Sequence, residues 1–370
     1  HFDPSKPSVH AGIVACPPTA AATGGCAHSA QRDSRASPSA RKCRLRLRIR
    51  GPLWVGDGSL PKRGATSALH RAADGLVSRG GSGHGIHTRG EGHVTPSLTS
   101  VPSASPLLVA SGLHVSFGSR TNRVDALRGV SLSIARGEVL AVVGESGSGK
   151  STLARSLIGM VRAQRGALHL GGEAVPLNLA SRTLSQRRRI GMVFQDSAAA
   201  FDPRFTVERI LNEPVTLLAR RGAMLQGSFP TTAALLDRVG LPASVLGRRP
   251  HELSGGQRQR VGIARALAGE PQLLICDEAV SALDVSVQAQ ILNLIADLQC
   301  DHGLSILFIT HDLSVVSYLA DRIAVMVHGE LIETGDAAQI LDAPEHPYTR
   351  RLLDAGMHDQ SSRGVHTTNV

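Results

Sequence analysis

The chain has 370 residues, 42% hydrophobic and 19% charged, too apolar for a wholly disordered chain and long enough for one large domain or two ordinary ones. The formal charge of +10 would suggest nucleic acid or an anionic surface. However, residues 1–106 hold 14 of the 40 Lys and Arg and only 5 of the 30 Asp and Glu, which leaves the rest at +1 and removes that argument from the patterned part.

The first 106 residues are rich in Gly, Pro and His and show no sustained period of 2 or 3.6, so they are expected to be disordered or non-native. One stretch, Arg41–Arg50, alternates Arg with Leu and Ile and reads as a solvated charge run. The first Met is Met160, so much of this segment reads as upstream sequence, with translation expected to start near Val101 or Val109 at a non-Met codon. The five Cys, at 16, 26, 43, 276 and 300, lack the close spacing of a zinc or iron-sulfur site and suggest no disulfide framework. No apolar run approaches the roughly 18–20 residues needed to cross a bilayer.

From Leu107 the texture changes. The alternation in Gly129–Ile134 predicts a half-buried strand. The continuous apolar run Glu138–Val143 predicts a buried one, followed by a Gly/Ser loop and a helix with Leu153, Leu157 and Val161 on one face. Further strand-length runs at 190–194, 273–276 and 306–309 alternate with helical stretches such as SVQAQILNLIADLQ. Alternating buried strands and helices predict an α/β fold with a mostly parallel sheet. Residues 196–262 read as an inserted helical subdomain.

Three motifs carry chemistry. GESGSGKST, comprising Gly144, Glu145, Ser146, Gly147, Ser148, Gly149, Lys150, Ser151 and Thr152, fits G-x-x-x-x-G-K-[ST] between a predicted strand and a predicted helix. Its glycines let backbone NH groups surround phosphate oxygens, Lys150 reaches the β- and γ-phosphates, and Ser151 supplies a hydroxyl to Mg²⁺. Lys150 is the only Lys beyond residue 106. LLICDE places Asp277 and Glu278 at the C-terminal end of an apolar strand. There Asp277 is suited to hold Mg²⁺ and Glu278 to activate water as a general base. LSGGQRQR, from Leu253 to Arg260, puts Ser254 and the NH groups of Gly255 and Gly256 at a second helix start, another anion site.

This last motif closely resembles the signature of ATP-binding cassette (ABC) ATPases, and the resemblance spans about residues 107–355. It implies a P-loop NTPase core of the RecA type, an N-terminal antiparallel β subdomain and the inserted helical subdomain, with 356–370 as a C-terminal tail. It also implies a head-to-tail dimer, in which Leu253, Ser254, Gly255, Gly256 and Gln257 close over the ATP of the partner subunit. Phe117 in VSFG aligns with the aromatic that stacks on adenine, and Gln195 in VFQD with the loop glutamine that touches Mg²⁺ or the attacking water. Ser281 and Asp284 in SALD resemble the loop that crosses the dimer interface, and His311 in LFITHDLS the switch histidine that contacts the γ-phosphate and positions Glu278.

Further stretches, above all EHPYTRRLLDA at Glu345–Ala355, look like the ATPases of oligopeptide and dipeptide importers, a branch with nickel and glutathione relatives. Ala279 departs from that pattern, since many relatives have Pro there, and the chain ends about 17 residues after Leu353, without the longer Cys-bearing extension of some relatives. The resemblance implies an ATP- and Mg²⁺-dependent ATPase, peripheral on the cytoplasmic side of the inner membrane. Its expected partners are a second ABC ATPase subunit, identical or homologous, two membrane permease subunits and, indirectly, an external solute-binding protein. No nucleic-acid partner is expected. A soluble ABC ATPase acting on nucleic acid or ribosomes is the alternative class, disfavoured by a single cassette of near-neutral charge. A non-hydrolysing regulator is disfavoured by the presence of both Glu278 and His311.

Overall fold

The computed structural model describes residues 106–363, apart from 120–121, 197–198, 221–228 and 282. The Arg41–Arg50 stretch, the expected start site Val101 and nearly all of the basic leader lie outside the described residues, whereas the other expected start site, Val109, lies within them.

Strands β1 (Pro106–Phe117) and β2 (Val124–Ala135) pair antiparallel, with Val115 opposite Leu127. The wholly buried strand β3 (Val139–Val143) leads through residues 144–149 into helix α1 (Lys150–Leu157). That helix stops short of the apolar run that predicted it, because Gly159 leaves helical space at φ 81° and Val161 falls beyond it. Strands β4 (Arg165–Leu170) and β5 (Glu173–Ala174) complete a four-stranded antiparallel sheet, ordered β2-β1-β4-β5. Helix α2 (Leu184–Arg188), started by a reciprocal cap between Thr183 and Gln186, precedes β6 (Ile190–Val193).

Among the described residues the next segment holds only helices: α3 (Val207–Arg220), α4 (Thr232–Arg238) and α5 (Gly255–Leu267), with short 3-10 turns before α5. The chain then runs through β7 (Leu273–Asp277), α6 (Val285–His302), β8 (Ser305–Ile309) and α7 (Leu313–Leu319). It ends with β9 (Arg322–Val327), β10 (Glu330–Asp336), α8 (Ala337–Asp342) and α9 (Pro347–Arg363).

The second sheet is ordered β10-β9-β3-β8-β7-β6. All its pairings are parallel except the edge pair β9 and β10. The α/β class and the mostly parallel sheet follow from one physical fact, that both faces of the sheet are covered. On β7 and β8, Leu274, Cys276, Ile306 and Phe308 join the core shared with helices α3, α4, α5 and α6, whereas Leu273, Ile275, Leu307 and Ile309 join the core with α1 and the antiparallel sheet. Period-2 side chains therefore find apolar partners on either side, and the strands read as continuous apolar runs. Truncating Leu307, wholly buried in the second core, would cost about 2–5 kcal/mol. The parallel register brings the ends of β6, β7, β8 and β3 to one edge, with Val193 opposite Cys276, Asp277 opposite Ile309 and Val142 opposite Ile309. Loops leaving that edge meet there.

Candidate nucleotide site

The loop from β3 to α1 forms a cradle. Lys150, the first residue of α1, is 4% exposed, and its Nζ donates to the carbonyls of Gly144 at 2.8 Å and Glu145 at 2.7 Å. Burial pushes the ammonium's pKa down, and the nearby Glu278, Asp277 and Glu145 carboxylates oppose that shift. Gly149 caps the helix at φ 109°, and a Cβ there would lie 2.5 Å from the Ala126 carbonyl oxygen, so only glycine fits. Glu145, Ser146 and Gly147 are exposed, while Ser151 and Thr152 are half-buried on the first turn. The Ser148 hydroxyl is buried with no hydrogen-bond partner, which leaves an unsatisfied polar atom inside the cradle.

Across from the cradle, Asp277 is 1% exposed and accepts a 2.9 Å hydrogen bond from Ser151 Oγ. Burial raises its pKa, against the Ser151 hydrogen bond and the nearby Arg155 and Lys150 charges. The adjacent Glu278 is held at φ 46°, a conformation that is strained for a residue with a side chain. Its amide donates to the Ile309 carbonyl at 3.0 Å, which fixes the turn to the end of β8. Its two carboxylate oxygens face two different loops: Gln195 Nε2 donates to Oε2 at 2.8 Å, and His311 Nδ1 lies 3.5 Å from Oε1. The expected catalytic trio of Glu278, Gln195 and His311 therefore meets around one carboxylate. His311 itself is 56% exposed, so its ring faces open solvent as well as Glu278.

Metal chemistry fits these groups. Ser151 Oγ and Asp277 Oδ1 offer two hard oxygen donors side by side, as Mg²⁺ prefers when it also binds phosphate. Among the described residues no group of three or more His, Cys, Asp or Glu could hold a metal ion, so an all-protein cage is not what this site offers.

The signature forms a second, separate feature. Ser254 caps α5, its hydroxyl accepting from the Gln257 amide at 3.3 Å while the Gln257 side chain accepts from the Ser254 amide at 3.1 Å. Leu253 is buried beneath this turn, and Ser254 and Gly255 are exposed. Among the described residues no hydrogen bond or ion pair joins 253–257 to the cradle. Ser281 Oγ donates to the Glu278 carbonyl at 3.0 Å, which ties the SALD turn to the site, and Asp284 lies exposed at the start of α6. Phe117, at the end of β1, is 47% exposed and so is a free ring face and not a core residue.

Two supports escaped the sequence reading. Gly329, in the turn between β9 and β10 at φ 85°, donates to the Ser148 carbonyl at 2.8 Å and accepts from the Arg128 amide. A Cβ on Gly329 would meet the Ala126 carbonyl oxygen at 2.8 Å. Next to His311, Asp312 caps α7 and accepts from both the amide and hydroxyl of Ser314, and Gln288 of α6 reaches its other oxygen at 3.4 Å. The D-x-S spacing after His311 was the available signal for that cap. The Gly329 contact had none, because it joins residues far apart in sequence.

Together, a mostly parallel sheet, a phosphate cradle at its strand ends and a carboxylate pair beside it define a P-loop nucleotide-binding protein. The family model described as ABC transporter matches residues 127–281. The chain is 43% identical over 256 residues to the probable D,D-dipeptide transport ATP-binding protein DdpF of Escherichia coli (strain K12), covering 67% of this chain and 78% of that protein. It is 44% identical over 267 residues to the glutathione import ATP-binding protein GsiA of Pectobacterium atrosepticum, which spans 70% of this chain and 42% of that longer protein. Among solved structures, the dimeric ATP-binding cassette MJ0796 in a post-hydrolysis state with ADP and Pi matches at TM-score 0.54 and 25% identity, covering 62% of this chain and 98% of that one. This chain belongs to the ATP-binding proteins of the ABC transporter family.

Proposed function

We propose that this chain is the ATP-hydrolysing subunit that energises an ABC importer of small peptides. The observation that carries the reading is the single constellation at the strand ends: Lys150 buried in its loop, Ser151 on Asp277, and Gln195 and His311 on opposite oxygens of Glu278.

In this reading, residues 144–152 surround the ATP phosphates and Phe117 stacks on the adenine. Lys150 exchanges its two carbonyl partners for phosphate oxygens. Ser151 and Asp277, with Gln195 beside them, hold Mg²⁺, which when bound supplies charge neutralisation at the β- and γ-phosphates. Glu278 takes the proton of the attacking water, and Gln195 and His311 keep its carboxylate aimed. The Ser254–Gly256 turn, exposed and unbonded to its own cradle, serves a nucleotide held by a second cassette, identical or homologous. Ser281 and Asp284 lie along that interface.

In this reading two permease subunits provide the membrane path; no helix among the described residues is long and apolar enough to cross a membrane. An external solute-binding protein delivers the solute, and the ATPase works at the cytoplasmic face. The two relatives, named for D,D-dipeptide transport and glutathione import, both handle short peptides by name and support that cargo class. Replacing Glu278 by Gln keeps the shape of the site but removes the base. Turnover of ATP by the purified chain is expected to fall about 10²–10⁴-fold while ATP still binds. Full turnover by Glu278→Gln contradicts the assigned role.

A further inference from the structure

The strand that carries Phe117 outruns its partner on one side. The ladder between β1 and β4 ends with His114 opposite Arg165, whereas β1 continues through Ser116 to Phe117. Beyond the end of a ladder, backbone amides and carbonyls are left without strand partners. At Ser116 one side chain takes both. The Ser116 amide donates to Gln164 Oε1 at 3.0 Å, and Gln164 Nε2 donates to the Ser116 carbonyl at 3.1 Å. The Gln164 amide donates to the His114 carbonyl at 2.9 Å, so the backbone that carries this fork is itself tied to β1. A side-chain amide holds an acceptor oxygen and a donor NH₂ group, which lets Gln164 answer both backbone groups at once and extend the ladder past Arg165.

The other side of the strand end is closed as well. Ser116 pairs with Asp125, and Phe117 with Val124, across β2. The Ser116 hydroxyl donates to Asp125 Oδ1 at 2.6 Å, and Arg123 donates to both groups, from Nε to Asp125 Oδ1 at 2.9 Å and from Nη2 to Ser116 Oγ at 2.8 Å. The residue before Phe117 is thus held through its backbone by Gln164 and through its side chain by Asp125 and Arg123. The Phe117 ring is 47% exposed, so its direction depends on the backbone that carries it. Gln164 reaches this strand end from the loop after α1, the helix that starts at Lys150, so one short stretch of chain serves both the cradle and the ring.

We propose that Gln164 is a positioning residue for nucleotide binding, whose side-chain amide holds the end of β1 extended and so presents the Phe117 ring to the adenine base. It acts through Ser116 and Phe117 and contributes no group to the base or the phosphates. Its effect is to order the platform before the nucleotide arrives, so that less ordering entropy opposes binding. This inference rests on Phe117 being the adenine platform, as proposed above.

The test is calorimetric titration of the purified full chain with MgATP, beside inorganic tripolyphosphate as a base-free competitor. Gln164→Ala removes both side-chain bonds and keeps the backbone bond to His114; because Gln164 is exposed, the Tm should change little. The Kd for MgATP should rise about 3–10-fold, while the affinity for tripolyphosphate, which reads the cradle alone, stays as in the wild type. In a Phe117→Ala background, Gln164→Ala should add nothing further, since both act through one platform. Unchanged MgATP affinity in Gln164→Ala, or equal weakening of MgATP and tripolyphosphate, would overturn the inference alone. An effect that multiplies with that of Phe117→Ala would also overturn it. A Phe117→Ala chain that binds MgATP as tightly as the wild type would overturn the adenine-platform reading and this inference together.

Discussion

The phosphate cradle and the signature turn are both helix starts following glycine-containing loops, but their surroundings differ. The cradle is closed within the chain: Lys150 and Asp277 are buried, and bonds run from Ser151 to Asp277 and from Gly329 to Ser148. The signature turn satisfies itself through Ser254 and Gln257 and presents its face outward. Among the described residues no bond joins this second helix start to the cradle of its own chain, as the half-site proposed above requires. On the reading proposed above the chain holds one half of each of two sites, and substitutions in the two regions should separate binding from turnover.

The largest effect is expected in the cradle. Gly149→Ala forces a side chain into positive-φ space and against the Ala126 carbonyl, a strain of about 2–3 kcal/mol. With the loop displaced, two or more charge-assisted bonds to phosphate are lost, and the Kd for ATP rises on the order of 100-fold. Calorimetric titration and a melting curve measure the two effects.

A smaller effect, of opposite sign on stability, is expected at Asp277. Its folded-state pKa is raised by burial above the ordinary 3.8, so its ionisation opposes folding. That penalty is full above the raised pKa and absent below 3.8. Asp277→Asn keeps an acceptor for Ser151 and should raise the Tm of the nucleotide-free chain at neutral pH. The gain should shrink as the pH falls through the carboxylate range, while ATPase activity is lost at every pH. Melting curves from pH 7 to pH 4 check both the sign and the trend.

Legibility in the sequence followed the range of the interactions. The cradle, the Asp277–Glu278 pair and the strands at 273–277 and 305–309 could be read because their chemistry demands particular residue types in a row. The approach of His311 to Glu278 came from resemblance, which placed Gln195 on Mg²⁺ or the attacking water instead; a lone Gln or His after a strand does not reveal that both turn toward one carboxylate. The support of Ser148 by Gly329 was not legible, because it joins segments separated by about 180 residues of chain. Helix α1 was read too long because apolar spacing continued past Gly159, where the backbone does not.

The central claim is that the signature turn of this chain serves a nucleotide held in another cassette. Two variants test it together. Lys150→Ala disables the cradle and leaves the signature intact. Ser254→Asp keeps an acceptor that caps α5 but sets a negative charge where a phosphate must approach. Each variant alone should hydrolyse ATP poorly. Mixed in equal amounts, they form pairs in which the intact cradle of one meets the intact signature of the other, and the account predicts that turnover returns. A mixture that stays inactive, under conditions where the wild-type chain alone hydrolyses ATP, would contradict it.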